Sequence, residues 1–132
     1  MKIINIILKV LLCFLLVSPI AGALGFFPAP TAEMYNTPEA FAFIEALSAT
    51  GYLTAMIALV FAIALVLIIM KRMALAALLL LPVTINIIAF HLFLDGGLLT
   101  AGAIMGNVLF ALNLYFLWQN RSAYQQLLNN RS

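Results

Sequence analysis

Charge is what this sequence has least of: six Lys or Arg and four Asp or Glu in 132 residues, 8% of the chain, beside a hydrophobic content of 67%. Soluble domains carry about 25% charged residues, so an ordinary soluble fold is excluded and the chain reads as a membrane protein. A net charge of +2 from dispersed residues excludes a nucleic-acid surface. Cysteine occurs once, at Cys13, which excludes an internal disulfide and a cysteine-based metal cage. Within an apolar run this thiol behaves as a small hydrophobe, lipid-facing or packed. Histidine also occurs once, at His91, so paired axial haem ligation is excluded. Neither a glycine-rich phosphate loop nor a nucleophile, histidine and acid set is present. No metal site and no catalytic residue is expected, although a site completed by another subunit stays open.

What the chain has instead is long apolar runs, at about 10–27, 52–70, 73–94 and 98–118. A bilayer core of about 30 Å takes about 20 helical residues, and in lipid the backbone must satisfy its own hydrogen bonds, so each run is expected to be a helix. The expected fold is all-α, a four-helix transmembrane bundle forming a single integral membrane domain over 1–132. Soluble domains, linkers, low-complexity tracts and internal repeats are not evident.

The few charges are sorted. Lys2 and Lys9 precede the first run, Lys71 and Arg72 separate the second from the third, and Arg121 and Arg131 follow the fourth. Glu33, Glu39, Glu45 and Asp95 fall in or near the other two connections. Basic residues concentrate in cytoplasmic loops, so both termini are expected in the cytoplasm, with the chain multi-pass in the inner membrane. Tyr115, Trp118 and Tyr124 mark the inner boundary, and Phe26, Phe27, Tyr35 and Tyr52 the outer one, as an aromatic belt would.

The first run has a rival reading. A lysine-bearing start, an apolar core and the small residues of SPIAGALG (18–25) resemble a cleavable signal peptide. The uncleaved helix is preferred because an apolar length of about 18 residues reaches spanning length. Between the first two runs, Pro28 and Pro30 imply an extended loop. Thr37, Pro38 and Glu39 then form a helix start: a hydroxyl cap, proline at the first helical position and an acid in the first turn. A short outer interfacial helix is expected at about 38–49, ending near Gly51. The alternative is one long second helix from Phe41 to Met70.

Polar side chains inside apolar runs concentrate in PVTINIIAFHLFLD (82–95). Positions four apart share a helix face, so His91 and Asp95 can meet, with Thr84 two turns further inward on that stripe and Asn86 offset from it. His91 falls roughly one turn below the outer surface, where Asp95 is expected to stay wet. Ionisable residues at membrane depth are candidates for function, but a shallow one also serves as a helix anchor, and His91 is open to both readings. Asn86 is expected to make an interhelical hydrogen bond worth roughly 0.6–2 kcal/mol. Pro82 removes the backbone bond to Leu78 and loosens the third helix. Gly102 and Gly106 have G-x-x-x-G spacing with Asn113 on the same face, which predicts a close helix contact within the chain or across a homo-oligomer. A channel or transporter is disfavoured, because no polar stripe crosses the full bilayer.

ATGYL (49–53), KRMALAALLLLPVTINIIAFHLFLDGGL (71–98) and LYFLWQNRSAYQQLL (114–128) together resemble the DoxX-like membrane protein family across most of the chain. Pro82, Asn86, the FHLFL segment with His91 and the ending with arginine and tyrosine carry the resemblance. The polar residues that many relatives hold late in the first span and within the second are not evident here. The resemblance implies a small four-helix membrane protein near redox chemistry. The preferred reading is a non-catalytic accessory subunit of a membrane redox complex, partnered by an oxidoreductase or a thiol-handling protein. The alternative is a quinone-binding subunit of a membrane oxidoreductase, for example sulfur- or thiol-linked, with quinone as cofactor and His91 donating to its carbonyl.

Overall fold

A computed structural model describes residues 1–130; Arg131 lies outside them. The described residues are helical, with no strand. The helices are α1 (Lys2–Ala23), α2 (Pro38–Thr50), α3 (Tyr52–Ile69), α4 (Met73–Phe93), α5 (Ala103–Gln119) and α6 (Arg121–Asn129), with one 3-10 turn at Ala32–Met34. Three of them, α1, α3 and α4, are long and apolar enough to cross a membrane. This marks the chain as a membrane protein.

Two helices differ in their bounds from the apolar runs. The first helix does not occupy 10–27: it begins at Lys2, because IINIIL continues the backbone ladder ahead of Lys9, and it ends at Ala23. There Gly25 (φ +84) turns left-handed while the Phe26 and Gly25 N–H groups donate to the Ala21 and Gly22 carbonyls, a glycine-based helix stop. The fourth run, expected over 98–118, becomes helical only at Ala103. Gly96 and Gly97, at φ +82 and +104, set the chain into turns that use up 98–102. Helix α5 is therefore 17 residues long, about 26 Å at the usual helical rise. Gly102 caps it from outside the first turn.

The outer helix forms as the Thr37-Pro38-Glu39 signal predicts. The Thr37 hydroxyl accepts from the Ala40 N–H at 3.1 Å, and Gly51 (φ +72) ends the helix. That left-handed residue breaks the chain between α2 and α3, so a single helix from Phe41 to Met70 does not form. Helix α6, which hydropathy does not announce, lies back on α4, with the Tyr124 hydroxyl donating to the Ala74 carbonyl at 2.7 Å.

Helix α4 packs on both α3 and α5, and α1 packs on α3 and more lightly on α5. Between them Leu12, Leu16, Phe61, Ala64, Ala76, Ala77, Leu80 and Phe116 are fully or almost fully buried. Helix α1 thus supplies part of the core. Facing outward are Ile6, Phe14, Leu59, Ile63, Leu75, Leu78 and many more large apolar side chains. In water such a surface would aggregate; in lipid it is matched by its solvent.

The two ends differ in charge. At one, Asn5 accepts from the Tyr115 hydroxyl (3.0 Å) and the Gln119 amide (2.9 Å), tying the start of α1 to the end of α5. This end carries Lys2, the α3–α4 turn with Lys71 and Arg72, and Arg121. The other end carries α2, the loop before it and the α4–α5 turns, with all four acidic residues.

Candidate functional site

The last turn of α4 sets the site at the acidic end. The spacing of four brings His91 and Asp95 together, Nδ1 to Oδ2 at 3.1 Å. Asp95, expected from sequence to stay wet at its helix end, is only 1% exposed. The segment before α2 folds over it. The Asn36 backbone N–H donates to Asp95 Oδ1 at 2.7 Å, the Asn36 side-chain amide donates to the Asp95 carbonyl at 3.2 Å, and the Thr37 hydroxyl donates to the Leu94 carbonyl. Thr37 thereby starts α2 and fastens it to α4 with one oxygen. His91 faces the carboxylate through Nδ1, which leaves Nε2 as the ring nitrogen outside the pair.

The His91 ring rests on Gly106 of α5. A Cβ added at Gly106 would stand 2.7 Å from Ile87 Cγ2 and 3.4 Å from His91 Cδ2, so only glycine permits this approach. The close contact predicted from the glycine spacing is therefore made within the chain, between α4 and α5. Gly102 takes no part in that seam: it lies beside the carboxylate, its added Cβ 3.6 Å from Asp95 Oδ2.

Thr84 shares a stripe with His91 but belongs to a separate, fully buried pair. Its hydroxyl donates to Asn113 Oδ1 at 2.8 Å, and the Asn113 amide donates to the Ala77 carbonyl at 2.8 Å. This is the polar tie between α4 and α5 at the depth of Pro82. Asn113→Leu is expected to cost about 0.6–2 kcal/mol, read as a lower unfolding midpoint in detergent. Asn86, by contrast, is exposed on α4 and has no hydrogen-bond partner among the described residues. The interhelical bond expected of it is instead made by Asn113.

Above His91 sits an aromatic cluster. Tyr35 meets Phe90 edge-on at 6.3 Å and lies 6.1 Å from Phe41, while Phe43 lies 5.8 Å from Phe90. Burial, and then the negative charge of Asp95, push the Tyr35 hydroxyl above the ordinary phenol value. Above about pH 10 the unfolded chain releases this proton before the folded chain does. Stability is then lost as pH rises through the folded value. Tyr35→Phe is expected to flatten that alkaline decline, measured as unfolding midpoint against pH.

Two cavities flank this region. One, of about 390 Å³, lies among α1, α2, α3 and α4, with Asn86 on its wall. The other, of about 250 Å³, lies among α1, α4 and α5, lined by Ser18, His91, Met105 and Gly106. Among the described residues no three His, Cys, Asp or Glu side chains are grouped to hold a metal.

No protein-family model, curated protein or solved structure matches this chain. What the site does therefore follows from its own geometry. Thr37 is legible in sequence only as a helix start and Asn36 not at all, because their pairing with residues 57 and 59 positions away depends on the bundle. Ser18 and Pro19 are hidden in the segment that resembles a signal peptide. Pro19 in fact lies inside α1 and lines both cavities.

Proposed function

We propose that the chain is a four-helix transmembrane protein of the DoxX-like type. In this reading α1, α3, α4 and α5 cross the cytoplasmic membrane with both termini inside, and the protein serves as a non-catalytic accessory subunit of a membrane redox complex. The orientation is supported by the gathering of the described basic residues at one end. For α5, about 26 Å of helix plus the turns at 98–102 match the other spans in depth.

One observation carries the non-catalytic reading. Among the described residues, the one carboxylate at the acidic end that is drawn into the fold, Asp95, is engaged by Asn36 and His91, and its lone pairs serve to hold the loop onto α4. A carboxylate so engaged is a fastener. Purification of the tagged protein from native membranes in mild detergent tests this: it is expected to bring down an oxidoreductase or thiol-handling protein in fixed ratio. Recovery of the chain alone, at full yield and folded, contradicts it.

A second reading, a quinone-binding subunit, is favoured by the lone pair or hydrogen on His91 Nε2. With Nδ1 held by Asp95, this nitrogen lies next to the cavity that Ser18 also lines. Here a folded His91→Ala variant should lose quinol-dependent activity of the complex; full retention disposes of it.

A further inference from the structure

Asn86 lies seven residues before the end of α4 at Phe93, about 10 Å below it at the helical rise. An amide left unpaired at that depth in hydrocarbon is strongly unfavourable unless something meets it. Here the surroundings are specific. Asn86 stands at the junction of two openings that also share Phe43 of α2. The deeper one, about 390 Å³, is walled by Pro19, Leu47, Ile57, Phe61 and Pro82. The shallower one, about 220 Å³, runs along Ala89, Phe90 and Phe93 toward the surface.

The gap has a physical origin. Pro19 and Pro82 each lack an N–H and press on the carbonyl four residues earlier, so α1 and α4 cannot pack as straight helices at this level. Phe61, 1% exposed, closes the floor, and α2 crosses the top with Phe43 and Leu47. The deeper volume falls in the range of about 300–1,000 Å³ usual for small-molecule sites. Among the described residues no ionisable side chain lines either opening, so a charged ligand would meet no counter-charge from them.

We infer that this groove binds an uncharged, lipid-soluble molecule whose carbonyl or hydroxyl, flanked on both sides by apolar groups, hydrogen-bonds to Asn86. The polar point falls in the middle of the groove, which suits an internal ketone or alcohol rather than a terminal head group. The amide can donate or accept, so both are accommodated. This inference does not depend on the redox reading, nor on His91, which faces the other cavity.

Benzophenone, a neutral ketone between two rings, is a direct probe. On irradiation its carbonyl takes a hydrogen from a nearby C–H bond and the two carbon radicals join, marking the residue. The full chain is reconstituted in dimyristoyl phosphatidylcholine vesicles, irradiated with benzophenone and mapped by peptide mass spectrometry. Adducts are expected to concentrate on Leu47, Ile57 and Val83. Asn86→Leu should lower them at least fivefold and Asn86→Gln should largely keep them, with adducts on lipid-facing Ile63 and Leu75 unchanged as the internal measure of fold. Ile57→Trp, which fills the groove and leaves Asn86 in place, should also lower adducts at Leu47 and Val83. Adducts spread evenly over lipid-facing residues, or groove adducts in Asn86→Leu equal to wild type, overturn the inference. So does a change in oligomeric size in Asn86→Leu, which would assign the amide to a helix contact.

Discussion

Asp95→Ala is expected to lower stability by about 2–4 kcal/mol. The carboxylate is almost wholly buried and receives the Asn36 N–H while facing His91. Removing it leaves a buried donor and a ring nitrogen without acceptors and frees the segment that positions α2. Asp95→Asn keeps the shape and one acceptor oxygen, so it should lose less. Two measurements check this: the thermal unfolding midpoint in detergent, and protease cleavage between residues 28 and 37, expected to quicken in Asp95→Ala. If Asp95 were solvated, as its place at a helix end suggests from sequence, both would stay near wild type.

Gly106→Ala is expected to cost about 1–3 kcal/mol. The new methyl would sit 2.7 Å from Ile87 Cγ2, a branch methyl beside the backbone that cannot swing clear, so α4 and α5 must part. The diagnostic is a double-mutant cycle. Ile87→Ala alone leaves a gap beside Gly106; combined with Gly106→Ala, each change relieves the other, and the pair should be more stable than the sum of the singles by about 1 kcal/mol or more. Additive losses would mean that the glycine's importance lies elsewhere, for example in a contact between copies.

Much of this fold can be read from the sequence because lipid leaves the backbone few options. Apolar runs of spanning length become helices, and Thr37-Pro38-Glu39 with Gly51 brackets α2. Termini are harder. Lys9 looks like a boundary in a hydropathy scan but is carried inside α1, since a lysine near a helix start can reach out of the hydrocarbon along its own stem. Gly96 and Gly97 delay α5 because two consecutive left-handed residues cannot continue a helix. The His91–Asp95 pair follows from spacing alone. The burial of Asp95 does not, since it depends on Asn36, brought in from the loop before α2. Asn86 and Asn113 look alike in sequence; only the packing of α5 shows that one is tied to Thr84 and the other faces an open groove.

If the apolar helices cross a membrane with the basic end inside the cell, the two ends of the bundle must differ in their access to a reagent added from outside. Single cysteines at Glu33 and Ser122, each in a Cys13→Ser background, can be challenged with a membrane-impermeant maleimide. Position 33 should react in intact cells with a permeable outer envelope and position 122 only after the cytoplasmic membrane is opened, with the protein remaining in the pellet after alkaline carbonate washing. The reverse labelling pattern, or release of the protein by carbonate, would contradict this placement.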